Sequence, residues 1–414
     1  MSDSLWGLCE ESHVGASSRR NLIGGALAAA IVAWSGRSAL AQLTVGKTHR
    51  KPLITIFLRG AMDGLTALAP IGDDDYFKNR PTIKVSNTLK LDGFFGLHPA
   101  LGALHSLYLE GKLAPLHAVG SLDQSRSHFE AMAVMERGAA SDPATIPSGW
   151  VARYLSALPD DNPSPLRGVA FNTIMPDILR GATSAMAINE LSDLKLSATP
   201  SLRGALEGLY AHGKDAAAVA GREALEVLTV LEKLDPKRYV PGGGAKYPES
   251  NLGNGLRQTA MLLKAGVGVE TACLDRGGWD THVGQNTPYL AQQLQDVGDS
   301  LGAFTKDLGS QLDDITIVVM TEFGRRVAEN SGLGTDHGRA SAWFVAGGGV
   351  KGGKVYARWP GLKDEQLEAP GDLKVTMDYR DVLTEIVARQ LGGDKAAALF
   401  PSAPGKLPGL FGPA

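Results

Sequence analysis

Long apolar runs are missing from this chain. A membrane-spanning helix needs about 18 or more continuous apolar residues, and the best candidate, from Gly24 to Trp34, is shorter and is followed at once by Ser35, Gly36 and Arg37. Cysteine is scarce too, with only Cys9 and Cys273 in 414 residues. Neither charge is in excess: 41 basic and 44 acidic side chains leave a net −3, which gives no electrostatic footprint for nucleic acid or an anionic membrane surface. The glycine run after Pro241 lacks the Lys and Ser/Thr of a phosphate-binding P-loop. No internal repeat or long low-complexity tract is present.

What is present begins with an address. Ser17-Ser18-Arg19-Arg20-Asn21-Leu22-Ile23 precedes the short apolar run, and Ala39-Leu40-Ala41 supplies a small-x-small cleavage site. Residues 1–41 therefore read as a twin-arginine export signal. Cleavage leaves residues 42–414, periplasmic or secreted, with no transmembrane anchor. Cys9 departs with the leader, so no internal disulfide is possible although the compartment would permit one. Cys273 lies in an apolar stretch and reads as a small buried hydrophobe.

The mature chain alternates apolar runs with helical patterns, which predicts a mostly parallel α/β sheet flanked by helices in a single domain. Pro52 to Leu58 reads as the first strand, ending in a loop that presents Asp63, either as a helix N-cap or as a metal ligand. Leu113 to Val119 reads as the second. The loop after it carries Arg126 and Ser127 into a helix, and Ser127 with Glu130 matches a capping box. The same helix start favours negative charge and would suit a nucleophilic hydroxyl or a bound oxyanion. Residues 140–250, rich in Pro, Asp and Ser and then in Ala, Leu, Glu and Lys, read as a mostly helical cap inserted between two parts of the sheet.

Between Ala272 and Gly353 an apolar run leads into a polar cluster three times. Val267 to Leu274 leads to Asp280 and His282, and Ile315 to Met320 to Glu322 and Arg325. Asp336, His337 and Arg339 stand before a further strand, Trp343 to Ala346. Ligands bind outside the carboxyl ends of strands in open parallel sheets, and mixed Asp/His sets bind divalent metals. Each cluster alone is equally a turn or a surface ion pair; together they point to a shared site.

Through FLRGAMDGL, DGFFGLHPAL, SRSHFEAM, GGWDTH, TEFGRR and GTDHGR, the chain resembles an exported family of unknown function, domain fifteen-oh-one, over nearly the whole mature length. That family in turn resembles the alkaline phosphatase and sulfatase superfamily. The order of motifs there implies metal ligands at Asp63, Asp280, His282, Glu322 and His337, with Asp336 beside them, and a nucleophile at Ser127. Arg126 or Arg325 would hold the peripheral oxygens of the transferring group. The pattern departs at Phe323, where the superfamily strand ends in Asp-His-Gly. The implied activity is metal-dependent hydrolysis or transfer of phosphate or sulfate esters, small-molecule or glycan, with Zn, Mn or Fe. The alternative is a non-catalytic exported scaffold that binds an anionic ligand over a degenerate metal site.

The leader gives the first prediction. Replacing Arg19 and Arg20 by Lys should strand the precursor in the cytoplasm, whereas the wild type should be recovered outside it with Gln42 at or near its N-terminus. Unchanged export of the double variant would refute the twin-arginine assignment.

Overall fold

The structure, a computed structural model, describes residues 51–412 apart from 160–163, 165, 194–199, 214, 216, 219, 220, 223, 224, 226, 227, 230, 232, 233, 235–237 and 286. The leader, 1–41, lies outside the described residues. Eight strands build the main sheet: β1 (Leu53–Leu58), β2 (Leu113–Gly120), β3 (Gly168–Phe171), β4 (Ala185–Ile188), β5 (Thr271–Arg276), β6 (Thr316–Met320), β7 (Ser341–Gly347) and β8 (Met377–Asp378). Their spatial order is β8-β2-β7-β6-β1-β5-β3-β4. Every neighbouring pair is parallel except those made by β7, which runs antiparallel to β2 and β6. The fold is therefore the mostly parallel α/β sheet expected, with one strand reversed.

β1 is central and buried at all six positions. Side chains alternate across a sheet, so Ile54, Ile56 and Leu58 enter one apolar layer and Leu53 and Phe57 the other. A strand covered on both faces reads as a continuous apolar run, which is why LITIFL is recognisable. The first layer is completed by α1 (Gly102–Leu109), α5 (Asn251–Ala265) and α6 (Pro288–Leu308). The second layer rests on α2 (His128–Arg137), α3 (Trp150–Ala157) and α7 (Tyr379–Leu391). Cys273 on β5 is buried, and burial pushes its thiol up to about 12. Among the described residues no helix is long and apolar enough to cross a membrane.

Two expectations need correcting. Residues 140–250 are not only a helical cap: alongside α3 and α4 (Pro200–Ala211) they supply β3 and β4, which extend the sheet beyond β5. β5 also starts later than Val267, because Gly266 and Gly268 both take positive φ and hold the chain in a turn.

His117 on β2 carries a pH prediction. Its Nδ1 accepts from the Ala118 N–H at 2.8 Å, and its Nε2–H donates to the Leu68 carbonyl at 3.1 Å. A second ring proton would face the Ala118 N–H. Burial accordingly pulls its pKa down to about 4, below the unfolded value of about 6.5. Above pH ~6.5 the ring is neutral in both states; as pH falls from there towards 4 the unfolded state takes up the proton first, and stability is lost. His117→Gln cannot titrate. Its unfolding free energy, measured by urea titration across this window, should depend on pH with a slope shallower by up to one proton. An unchanged slope would assign the acid sensitivity to other groups.

Candidate metal centre

Because seven strands point the same way, their carboxyl ends share one edge of the sheet. β7 is reversed, so its amino end lies at that edge. His337, just before β7, therefore arrives where β5 delivers Asp280 and His282 and β6 delivers Glu322. The loop from β2 brings His128 there as the first residue of α2. The two approaching segments cross closely: Gly338 N–H donates to the Gly324 carbonyl, and Gly324 N–H to the Arg339 carbonyl, each at 2.9 Å. A Cβ at Gly324 would stand 1.9 Å from the Ala340 oxygen, and one at Gly338 2.5 Å from the Arg325 carbonyl carbon. Glycine is thus required at both positions.

Four donor atoms converge at the crossing. His337 Nε2 lies 3.1 Å from His128 Nε2, 3.0 Å from His282 Nε2 and 3.1 Å from Asp280 Oδ1. Asp280 Oδ1 is also 3.0 Å from His282 Nε2 and 3.5 Å from His128 Nε2. A tetrahedral ion with bonds of about 2.0–2.1 Å sets its ligand atoms roughly 3.3 Å apart. His128, His337 and Asp280 are spaced as three ligands of such an ion would be, with His282 against the last two.

The opposite ring nitrogens fix the tautomers. His128 Nδ1 faces Glu322 Oε1 at 2.8 Å, His337 Nδ1 faces the Arg126 carbonyl at 2.9 Å, and His282 Nδ1 stands 3.5 Å from Asp336 Oδ1. A carboxylate or carbonyl oxygen only accepts, so the His128 and His337 Nδ1 atoms are placed to donate, in the tautomer that turns Nε2 inward. Imidazole ligands of metals are typically held in this way, with a carboxylate or carbonyl on the far nitrogen.

The charges are set to match. Burial pushes the Asp280 carboxyl up, but the Arg325 guanidinium at 2.6 Å and His337 outweigh it and bring it down to about 2. The hydrogen bond to Glu322 raises His128, and burial lowers His337. Asp336 is lowered first by its hydrogen bond from Asn330. Glu322 is wholly buried, while the Asp280 side chain is 47% and the His282 side chain 41% exposed. The cluster opens to solvent on that side.

Of the residues singled out in the sequence, Asp280, His282 and His337 come together. Glu322 and Asp336, expected as ligands, stand behind the imidazoles; Glu322 is held by the Gly60 N–H at 2.8 Å. Asp63 lies outside the cluster. It N-caps the short helix Gly64–Ala67, and its carboxylate pairs with Arg80, Thr66 and Gln285. With both Asp63 and Arg80 fully buried, removing one partner would cost roughly 3–5 kcal/mol by stranding the other charge, which is a structural role.

Arg325 and Arg126 are not free to grip a substrate. Arg325 spends its donors on the carbonyls of Ala61, Thr335, Gly60 and Trp279 and on Asp280. Arg126 places its guanidinium on Asp372 and offers its backbone carbonyl to His337. Ser127 occupies the N-cap position of α2, but its hydroxyl makes no cap hydrogen bond, so the capping box does not form. The residue that the reading passed over is its neighbour, His128. Phe323 stacks on the His128 ring at 4.9 Å between centroids. Among the described residues His128, Asp280 and His337 form the one His/acid group suited to hold an ion, with His282 against it.

An α/β sheet with a three-imidazole, one-carboxylate cluster at its carboxyl edge defines the class of the molecule. The chain belongs to the family described as Protein of unknown function (DUF1501), whose model matches residues 98–399. No curated protein matches it. Among solved structures it bears remote likeness to Ps i-CgsB in complex with k-i-k-neocarrahexaose, at 12% identity over 74% of this chain and 68% of that one, with a TM-score of 0.38. Two others are the lipoteichoic acid synthase LtaP from Listeria monocytogenes (11% identity, 80% and 73% covered, TM-score 0.31) and a TAB5 alkaline phosphatase mutant with Mg bound (10%, 72% and 92%, TM-score 0.33).

The site geometry predicts a graded response. His128→Ala should abolish tight binding of a divalent metal, and Glu322→Gln should weaken it about 10–100-fold by releasing the His128 ring. Competition against a chromogenic chelator measures both. Wild-type affinity in His128→Ala would remove His128 from the ligand set.

Proposed function

We propose that residues 42–414 form one α/β domain, exported by the twin-arginine route to the periplasm or beyond, that hydrolyses or transfers phosphate or sulfate esters with the help of one divalent metal. The observation that carries this reading is the convergence of His128, His282, His337 and Asp280, with oxygen acceptors behind the His128 and His337 rings. Zn, Mn or Fe suits three imidazoles and a carboxylate. A divalent cation there would supply Lewis acidity to an ester oxygen and acidify water.

The chain's own residues supply the remainder. Arg325 anchors Asp280, and Glu322 and Asp336 orient two of the rings. Ser127 stands beside His128 with its hydroxyl uncommitted to a cap. The first N–H groups of α2 are left without intrahelical partners and suit the peripheral oxygens of a tetrahedral ester, a task for which Arg126 and Arg325 are spent. Small-molecule and glycan esters both fit an edge open to solvent.

A second reading, an anionic-ligand binder without turnover, draws support from the Phe323 ring packed on His128. A panel of aryl phosphates, phosphodiesters and aryl sulfates, assayed with Mn or Zn and after chelation, separates the two. We expect turnover that is lost with the metal and falls by several orders of magnitude in Ser127→Ala, since loss of a nucleophile is that costly. Equal activity in Ser127→Ala would exclude it as nucleophile. A metal-loaded wild type inert on the whole panel would leave the binding role.

A further inference from the structure

No hydrogen bond joins loop 368–372 to the four donor atoms among the described residues, yet it grips two segments that meet at His337, the one that offers its ring a carbonyl and the one that carries it. Asp372 is fully buried, and its Oδ2 accepts from Arg126 Nε at 2.8 Å and Nη2 at 2.5 Å; the same Nη2 reaches the Ala369 carbonyl at 2.9 Å. Arg126 is held at φ +53°, in the left-handed region that residues with a Cβ seldom adopt. In that conformation its carbonyl accepts from His337 Nδ1. Two residues beyond His337, Arg339 donates to Glu368 at 2.9 Å and to the Ser121 carbonyl at 3.0 Å.

Two acids of one loop thus bind two arginines, one whose backbone orients the His337 ring and one in the segment that carries it. Among the described residues the second oxygen of Asp372 has no hydrogen-bond partner, and it stands 4.0 Å from Arg326 Nε. Burying a half-satisfied carboxylate destabilises the fold; what accounts for Asp372 is the work of Oδ2 on Arg126.

We propose that Asp372 is a positioning residue for the metal centre: through the Arg126 side chain it fixes the carbonyl that sets the tautomer and orientation of His337. This rests on the metal-centre reading above. Outer partners of imidazole ligands typically change metal affinity 10–100-fold, and the same range is expected here from a residue one step further out.

The decisive variant is Arg126→Gly. Glycine adopts positive φ without strain, so the backbone path is kept while the tether to Asp372 is lost; Asp372→Asn, nearly isosteric, weakens the tether from its other end. Two measurements on the full mature chain are needed: Zn²⁺ affinity by chelator competition, and the imidazole ¹⁵N spectrum of His337 in metal-free protein. Both variants should bind Zn²⁺ about 10–100-fold more weakly and convert His337 from a single Nδ1–H tautomer to a mixture. Affinity within about twofold of wild type overturns the proposal, as does weaker binding with an unchanged tautomer, which would mark a loss of general stability. If the wild type itself binds no Zn²⁺ or Mn²⁺, the metal-centre reading fails, and the metal-free spectrum still decides whether Asp372 sets the His337 ring.

Discussion

Three imidazoles cannot direct bare lone pairs at one another and at a carboxylate oxygen unless positive charge lies among them. Two of the rings are held in direction by the oxygens behind them, Glu322 behind His128 and the Arg126 carbonyl behind His337, both of which only accept. A hydrogen bond to a charged group is worth about 1.5–3 kcal/mol, and reversing the His128 ring would forfeit the one to Glu322. The hydrogen bond to Glu322 raises His128, which favours positive charge at this place.

The sheet is what makes such a cluster possible. Its donors come from segments separated by as many as 209 residues, the span between His128 and His337, and they meet because parallel strands bring their carboxyl ends to one edge. β7 joins them by running the other way. Around the donors the backbone is tied directly: the Thr321 hydroxyl donates to the Leu58 carbonyl and accepts from the Met62 N–H, linking β6 to the loop after β1. Trp279, wholly buried, donates from its indole N–H to the Arg276 carbonyl and sets the turn that offers Asp280. Rigid supports of this kind hold donor atoms to the tolerance a metal demands.

The strands and the order of polar clusters were legible because both depend on local pattern. β1, β2, β6 and β7 lie within two residues of where their apolar runs predict them, and Asp280, His282 and His337 stand where strand ends place them. What pattern could not supply was rank within the site. Glu322 and Asp336 sit at strand ends as ligands do, and only the distances show that imidazoles intervene. Asp63 looked available because its partners, Arg80 and Gln285, are 17 and 222 residues away in sequence. His128 was hidden by Ser127: attention to the helix start favoured the hydroxyl, although the first residue of the helix projects its ring towards Glu322. A His directly after a capping residue at the end of a strand loop was the available signal.

The charges explain why two spent arginines need not rule out an anionic substrate. Asp280, Glu322 and Asp336 carry negative charge into the centre, against Arg325 on Asp280 and Arg326 at 3.6 Å from Asp336. The set is thus one negative charge in excess with neutral imidazoles, which draws a cation in. A divalent ion reverses the sign, so that the exposed Asp280 and His282 side of the cluster becomes positive at its mouth. Interaction at close range in a partly buried site is several times stronger than in bulk water. On that arithmetic a divalent ion, rather than any guanidinium, would be the group that makes this edge attractive to an anion, while Arg325 and Arg326 hold Asp280 and Asp336 in place.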